Sequence, residues 1–131
     1  MRWLPAIAVV MALGACGRDF HISGIITVAS PLRFRVPKTN AVLFIVAKNR
    51  GGVPVAVGRI VNPQFPVSYS LGPHDLLVPD NKVREPLVLH VQMNNHGNLG
   101  KPAKGDLEGE CPDLVYPGDR SAHIVIDRIS G

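Results

Sequence analysis

Cysteine is nearly absent from this chain: its 131 residues hold two, Cys16 and Cys111. That count excludes a disulfide framework, and no C-x-x-C-H occurs that would attach heme covalently. Aromatic residues make up only 5%. The basic residues are dispersed and rarely interleaved with aromatics, so the stripe that nucleic-acid recognition requires is missing. Missing too are a G-x-S-x-G elbow, an H-E-x-x-H pair and a phosphate-cradling loop. A non-catalytic binding module that needs no cofactor is therefore the economical reading, and no enzyme is expected. No long stretch shows helical periodicity, and no repeat or low-complexity tract appears. The apolar run over 6–13 is eight residues long, too short for a bilayer that needs about 20.

That short run has its own meaning. Arg2 supplies a positive n-region, the run is an h-region of the expected length, and Ala15 is the small residue before a cut. A cysteine at the next position reads as a bacterial lipoprotein acceptor. The expected organisation is a lipoprotein signal peptide over 1–15, a lipidated N terminus and short linker over 16–21, and one domain over 22–131. An ordinary signal peptide with an incidental Cys16 is the alternative. Two or three acyl chains on Cys16, palmitate among them, would hold the protein at the membrane, where a single chain binds only marginally. The location implied is the periplasmic side of a bacterial membrane. Gly17 lacks the acidic character associated with inner-membrane retention, which points to the outer membrane.

Cleavage would leave 116 residues with 13 basic and 10 acidic side chains. A domain of that size buries roughly two-thirds of its unfolded surface and stands without metal or disulfide. With Cys16 lipidated, Cys111 has no intramolecular partner, and burial is the common fate of a free cysteine.

The 13 glycines and 12 prolines fall between short β-branched runs, which predicts many strands and turns in an all-β domain. The expected strands are 22–28, 32–36, 41–48, 53–61, 67–71, 87–93 and 123–129. The run Val42-Leu43-Phe44-Ile45-Val46-Ala47 is apolar on both faces, as a covered central strand is. In the next-to-last strand Leu87, Leu89, Val91 and Met93 share one face and Val88, His90 and Gln92 the other, the period-two signature of a half-buried strand. Asn49-Arg50-Gly51-Gly52 reads as a hairpin turn. Seven to nine short strands at this spacing predict an immunoglobulin-like β-sandwich, with a small barrel as the alternative.

Several segments in order carry a family resemblance: Leu43-Phe44-Ile45-Val46-Ala47-Lys48; Gly52-Val53-Pro54-Val55-Ala56-Val57-Gly58-Arg59; Pro66-Val67-Ser68-Tyr69-Ser70-Leu71; Gly97-Asn98; and Gly105-Asp106-Leu107-Glu108-Gly109. Together they resemble the C-terminal immunoglobulin-like periplasmic domain of the cytochrome c biogenesis proteins called CycH or CcmI. The resemblance implies an extracytoplasmic β-sandwich acting beside the machinery that delivers apocytochrome c for heme attachment. Its partners would be a c-type cytochrome or that machinery. In the family this domain follows membrane helices and a helical-repeat domain, neither of which this sequence contains. Gln92-Met93-Asn94 replaces the family's Arg-Ile-Ser, and Lys48 stands where arginine is usual.

Partner binding is expected from two loops, with candidate residues Asn95, His96, Gly97 and Asn98 in one and Gly105, Asp106, Glu108 and Gly109 in the other. An exposed strand edge would offer main-chain hydrogen bonds to a partner. A second reading is a small metal-binding lipoprotein. Five histidines, at 21, 74, 90, 96 and 123, invite copper or zinc, but Cys111 is followed by no Met, against a blue-copper site. Asp106, Glu108 and Glu110, with Asp113 nearby, would suit calcium if extended, against the plainer reading of a charged edge strand. A structural envelope lipoprotein without a dedicated ligand is the third.

Overall fold

The computed structural model describes residues 20–80 and 83–131. The leader and Cys16, on which the lipoprotein expectation rests, lie outside the described residues. Seven strands are present: β1 Ile22–Val28, β2 Val42–Lys48, β3 Pro54–Val61, β4 Val67–Leu71, β5 Val88–Asn94, β6 Leu107–Glu110 and β7 Ile124–Ile129. Six expected strands appear within one residue of their predicted ends. The seventh expectation, a strand over 32–36, is corrected: Ser30–Arg35 is a 3-10 helix. Pro31 at its first turn presets a helical φ, and this outweighs the alternation of Leu32-Arg33-Phe34-Arg35. The short β6 takes the vacant place in the count.

The strands form one continuous sheet, ordered β3-β2-β5-β6-β7-β1-β4. Two separate hydrogen-bonded sheets, as a sandwich would have, are not what the ladders describe. The sheet rolls until its two ends nearly meet, so that a Cβ placed on Gly58 of β3 would lie 2.7 Å from Leu71 Cδ2 of β4. β1 joins the two halves, pairing parallel with β7 and antiparallel with β4. Part of the free β3 edge is covered, because Leu76 bridges Ala56 and Leu77 N donates to Val55 O; a covered edge cannot template another chain.

Alternation decides what the roll encloses. Leu43, Ile45 and Ala47 from β2, Leu89, Val91 and Met93 from β5, Leu107 from β6, Ile124 and Ile126 from β7, and Ile22 and Ile26 from β1 are all buried in one core. Each large side chain there contributes about 1.5–3 kcal/mol by leaving water. Phe20, ahead of β1, is already part of this core. Tyr69 lies in it as well and donates its hydroxyl to Ala122 O at 2.5 Å. Burial foremost, with Cys111 and Asp119 adding to it, pushes the Tyr69 phenol well above its ordinary range. Cys111 is buried, as expected, and desolvation pushes its thiol up.

The outward face of β2 and β5 departs from the expected pattern. Phe44 and Val46 are buried there, as a doubly covered strand requires. On β5, however, Gln92 is 1% exposed and Asn94 2%. The period-two reading left this face to solvent; the 95–106 segment folds back over it instead.

Strand directions sort the loops into two ends. The register of the ladders places 29–41, 62–66 and 95–106 at one end of the roll. Residues 49–53, 72–80, 83–87, 111–123 and the start of β1 occupy the other. Both candidate loops thus stand at the end away from Phe20.

Candidate functional site

The centre of the candidate region is Asp106, a carboxylate only 5% exposed. Its Oδ2 accepts from His96 Nε2 at 3.1 Å, Gln92 Nε2 at 3.3 Å and Ala103 N at 2.8 Å. Hydrogen bonds to an ionised acceptor are the stronger kind, and these three come from β5 and from both halves of the covering loop. Asn94 organises the first half. Its Oδ1 accepts from His96 N and Gly97 N, and its Nδ2 donates to Asn98 O. Asn98 N donates in turn to His96 Nδ1 at 3.2 Å. An accepting Nδ1 leaves the hydrogen on Nε2, where it points at Asp106. Gly97, at φ 76, supplies the left-handed turn.

The second loop explains why its five residues occur together. Gly105, at φ 92, makes the turn into β6 and donates its N–H to Ser130 O. Asp106 clasps the covering loop, Leu107 enters the core, and Glu108 accepts from His90 Nε2 at 3.0 Å on the outer face. Gly109 sits at a β-bulge between β6 and β7. A Cβ there would collide with the backbone of Val125 and Ile126, so glycine is required.

The structure brings the candidate residues together in part. His96, Gly97, Asn98, Gly105 and Asp106 converge on one clasped surface, with Asn95 exposed on it. Glu108 and Gly109 lie along β6, Gly109 facing the core. β6 runs between β5 and β7, so the expected charged edge strand is corrected to an interior one. Its acids share the outward face, but Asp106 and Glu108 are each occupied by a histidine. Among the described residues, no group of three His, Cys, Asp or Glu side chains is placed to hold a metal ion. His21 bonds Ser70 Oγ and His123 Nδ1 accepts from Ile25 N, which separates these histidines from the pair at 90 and 96.

A second feature at the same end was not foreseen. Between the Ser30–Arg35 helix and the 62–66 turn lies a groove of about 700 Å³ whose walls include Arg33, Phe34, Lys38 and Phe65. Asn62, at φ 51, ties the walls together: its N–H donates to Ala41 O at 2.7 Å, and its Oδ1 accepts from Ala41 N at 3.0 Å. Phe34 is 76% exposed, with the Arg35 guanidinium 5.4 Å from its ring centroid. Read as a strand, 32–36 gave no reason to expect this. Pro31 and Pro37 bracketing Arg33-Phe34-Arg35 were the available signal.

Fold and site together define a small all-β domain that gathers a clasped polar loop and an open groove at one end of a rolled sheet. The chain belongs to the family of the cytochrome c-type biogenesis protein H Ig-like domain, whose model matches residues 22–127. An uncharacterized protein of Aquifex aeolicus (strain VF5) is 26% identical over 110 residues, covering 83% of this chain and 71% of that protein. The structure of an alternative pilotin from the type II secretion system of Vibrio cholerae is similar in fold, with a TM-score of 0.55 at 12% identity. The match covers 86% of this chain and 99% of the pilotin chain.

Proposed function

We propose that the protein is a lipid-anchored, extracytoplasmic protein-binding module, accessory to cytochrome c maturation, which holds its partner at the end of the roll away from Phe20. The observation that carries this reading is the family match over 22–127, joined to the roles of Gly105 and Asp106 in shaping that end. The proposed anchor is Cys16, facing the periplasm from the outer membrane. Because Phe20 is in the core, three residues would separate the lipid from the folded domain. Three extended residues span about 10 Å, and strands of seven residues add about 20 Å more. The clasped loop and groove then face away from the bilayer, toward soluble or membrane-tethered partners.

Two experiments test the reading. Cys16→Ser moves the protein from the membrane to the soluble fraction with its thermal transition unchanged; continued membrane association defeats the anchor. Crosslinking in cells followed by purification of the anchored protein recovers a c-type cytochrome or a component of its maturation machinery. Recovery of neither, with the protein at native abundance, defeats the role.

A further inference from the structure

Folding segregates charge that is dispersed in the sequence. Among the described residues, the loops 29–41, 62–66 and 95–106 carry five cationic side chains, Arg33, Arg35, Lys38, Lys101 and Lys104, against one acid. That acid is Asp106, already clasped. Among the described residues, the loops at the opposite end carry Asp75, Asp80, Glu85, Asp113 and Asp119 against Arg50, Arg84 and Arg120, to which the sequence of that stretch adds Lys82. The groove lies on the basic end and includes two of its cations. No Asp or Glu lines it, and neither Arg33 nor Lys38 makes an ion pair among the described residues.

We propose that this groove docks an acidic peptide segment bearing one bulky apolar side chain, supplied by the partner protein. The inference rests on the protein-binding role and adds the chemistry of what is bound. Its volume, about 700 Å³, is that of a ligand pocket. Phe34 and Phe65 provide an apolar wall, and an aromatic left in water inside a concavity gains by being covered. Pro37, Pro63 and Pro66 stiffen the lining, which lowers the ordering cost of binding. Arg33 and Lys38 then stand free to pair with carboxylates flanking the buried side chain, and Arg35 on the outer side of Phe34 extends the positive field. The groove stands at the opposite end of the roll from Phe20, where the chain leads back toward the proposed anchor. A flat bilayer would have to meet this concave wall at the wrong end of the molecule.

The test pans a library of short random peptides on the full-length chain purified in detergent. Recovered peptides should place acidic residues on either side of an aromatic or large aliphatic residue, and their binding should weaken in high salt, which screens exposed charge. Phe34→Ser should weaken a recovered peptide by about tenfold or more, as loss of a central anchor does, and Arg33→Glu with Lys38→Glu should do the same. Neither variant should move the thermal transition, because these side chains are outside the core. Peptides without acidic enrichment, or affinities untouched by both variants, overturn the proposal. So does binding of phosphatidylglycerol vesicles in place of peptides, or a concentration-dependent dimer abolished by Arg33→Glu, which would make the occupant lipid or a second copy. If a maturation component co-purifies equally well with the groove variants, the groove proposal fails and the role stands. If the peptides bind as expected but no such component is recovered, the role fails and the groove proposal stands.

Discussion

Replacing Asp106 with Ala should unfasten the loop that covers β5 and cost a measurable share of the domain's stability. Three donors converge on one carboxylate oxygen, from Gln92, His96 and Ala103. Gln92 is 1% exposed, so its amide cannot turn to water, and an unpaired buried donor costs about 1–3 kcal/mol. His96 and the Ala103 N–H are nearer solvent and recover part of their loss, leaving about 0.5–1 kcal/mol each. The total is about 2–5 kcal/mol, against the 5–15 kcal/mol by which domains are generally stable. For a domain of this size that corresponds to a fall in Tm of about 8–20 °C. Asp106→Asn keeps an oxygen acceptor but loses the charge, so it should cost about half as much. Calorimetry reads the stability, and amide exchange reads the site: the Asn98 and Ala103 N–H groups should lose protection in Asp106→Ala while the β2 ladder keeps its own. A loss below about 1 kcal/mol, or unchanged exchange at Asn98, would refute the claim that this carboxylate holds the loop.

Gly109→Ala forces a methyl group into the β7 backbone at the bulge; it should destabilise by about 1–3 kcal/mol or more, read as a lower urea midpoint at unchanged slope. Tyr69 keeps its proton in the folded state above its ordinary value of 10.0. Its contribution is therefore complete below pH 10 and declines as pH rises above it, by up to about 1.4 kcal/mol per pH unit; Tyr69→Phe should flatten the fall in stability between pH 10 and 11.5 seen by urea titration. Cys111 is buried, and its thiol is raised above an ordinary value of 9.0. It should react with a thiol reagent at pH 8 orders of magnitude more slowly in the native protein than in denaturant, since the thiolate is the nucleophile.

Much of the local structure was legible because its causes are local. The turn at Asn49 is an example: its Oδ1 accepts from Gly51 N and Val53 N, and Gly52 takes φ 87, all within five residues. Leu89, Val91 and Met93 face inward as the alternation along β5 predicts. The 32–36 segment failed for an equally physical reason, since alternation was present but Pro31 imposed another backbone. The polar side chains on the outer face of β5 misled as well. Polar alternation marks a face as solvated only if nothing returns to cover it, and Asp106, which satisfies Gln92, lies 14 residues further on.

By itself the sequence determined the ends of six of the seven strands to within one residue, the all-β class, the burial of Cys111 and, through ordered motifs, the family. Only the tertiary structure decided that the strands close into one rolled sheet. It also decided that 29–41, 62–66 and 95–106 share an end, and that scattered lysines and arginines collect there around a groove. The reason lies in the range of the interactions. Hairpin turns and alternation act between near neighbours, whereas β1 pairs with β7 about 100 residues away, Ile26 opposite Ile124. Backbone hydrogen bonds are alike for every pair of strands, so the choice of partner falls to how the whole set of apolar faces packs. Gly24 and Gly109 record that choice, because each is small where backbone from a distant strand or loop passes within contact distance.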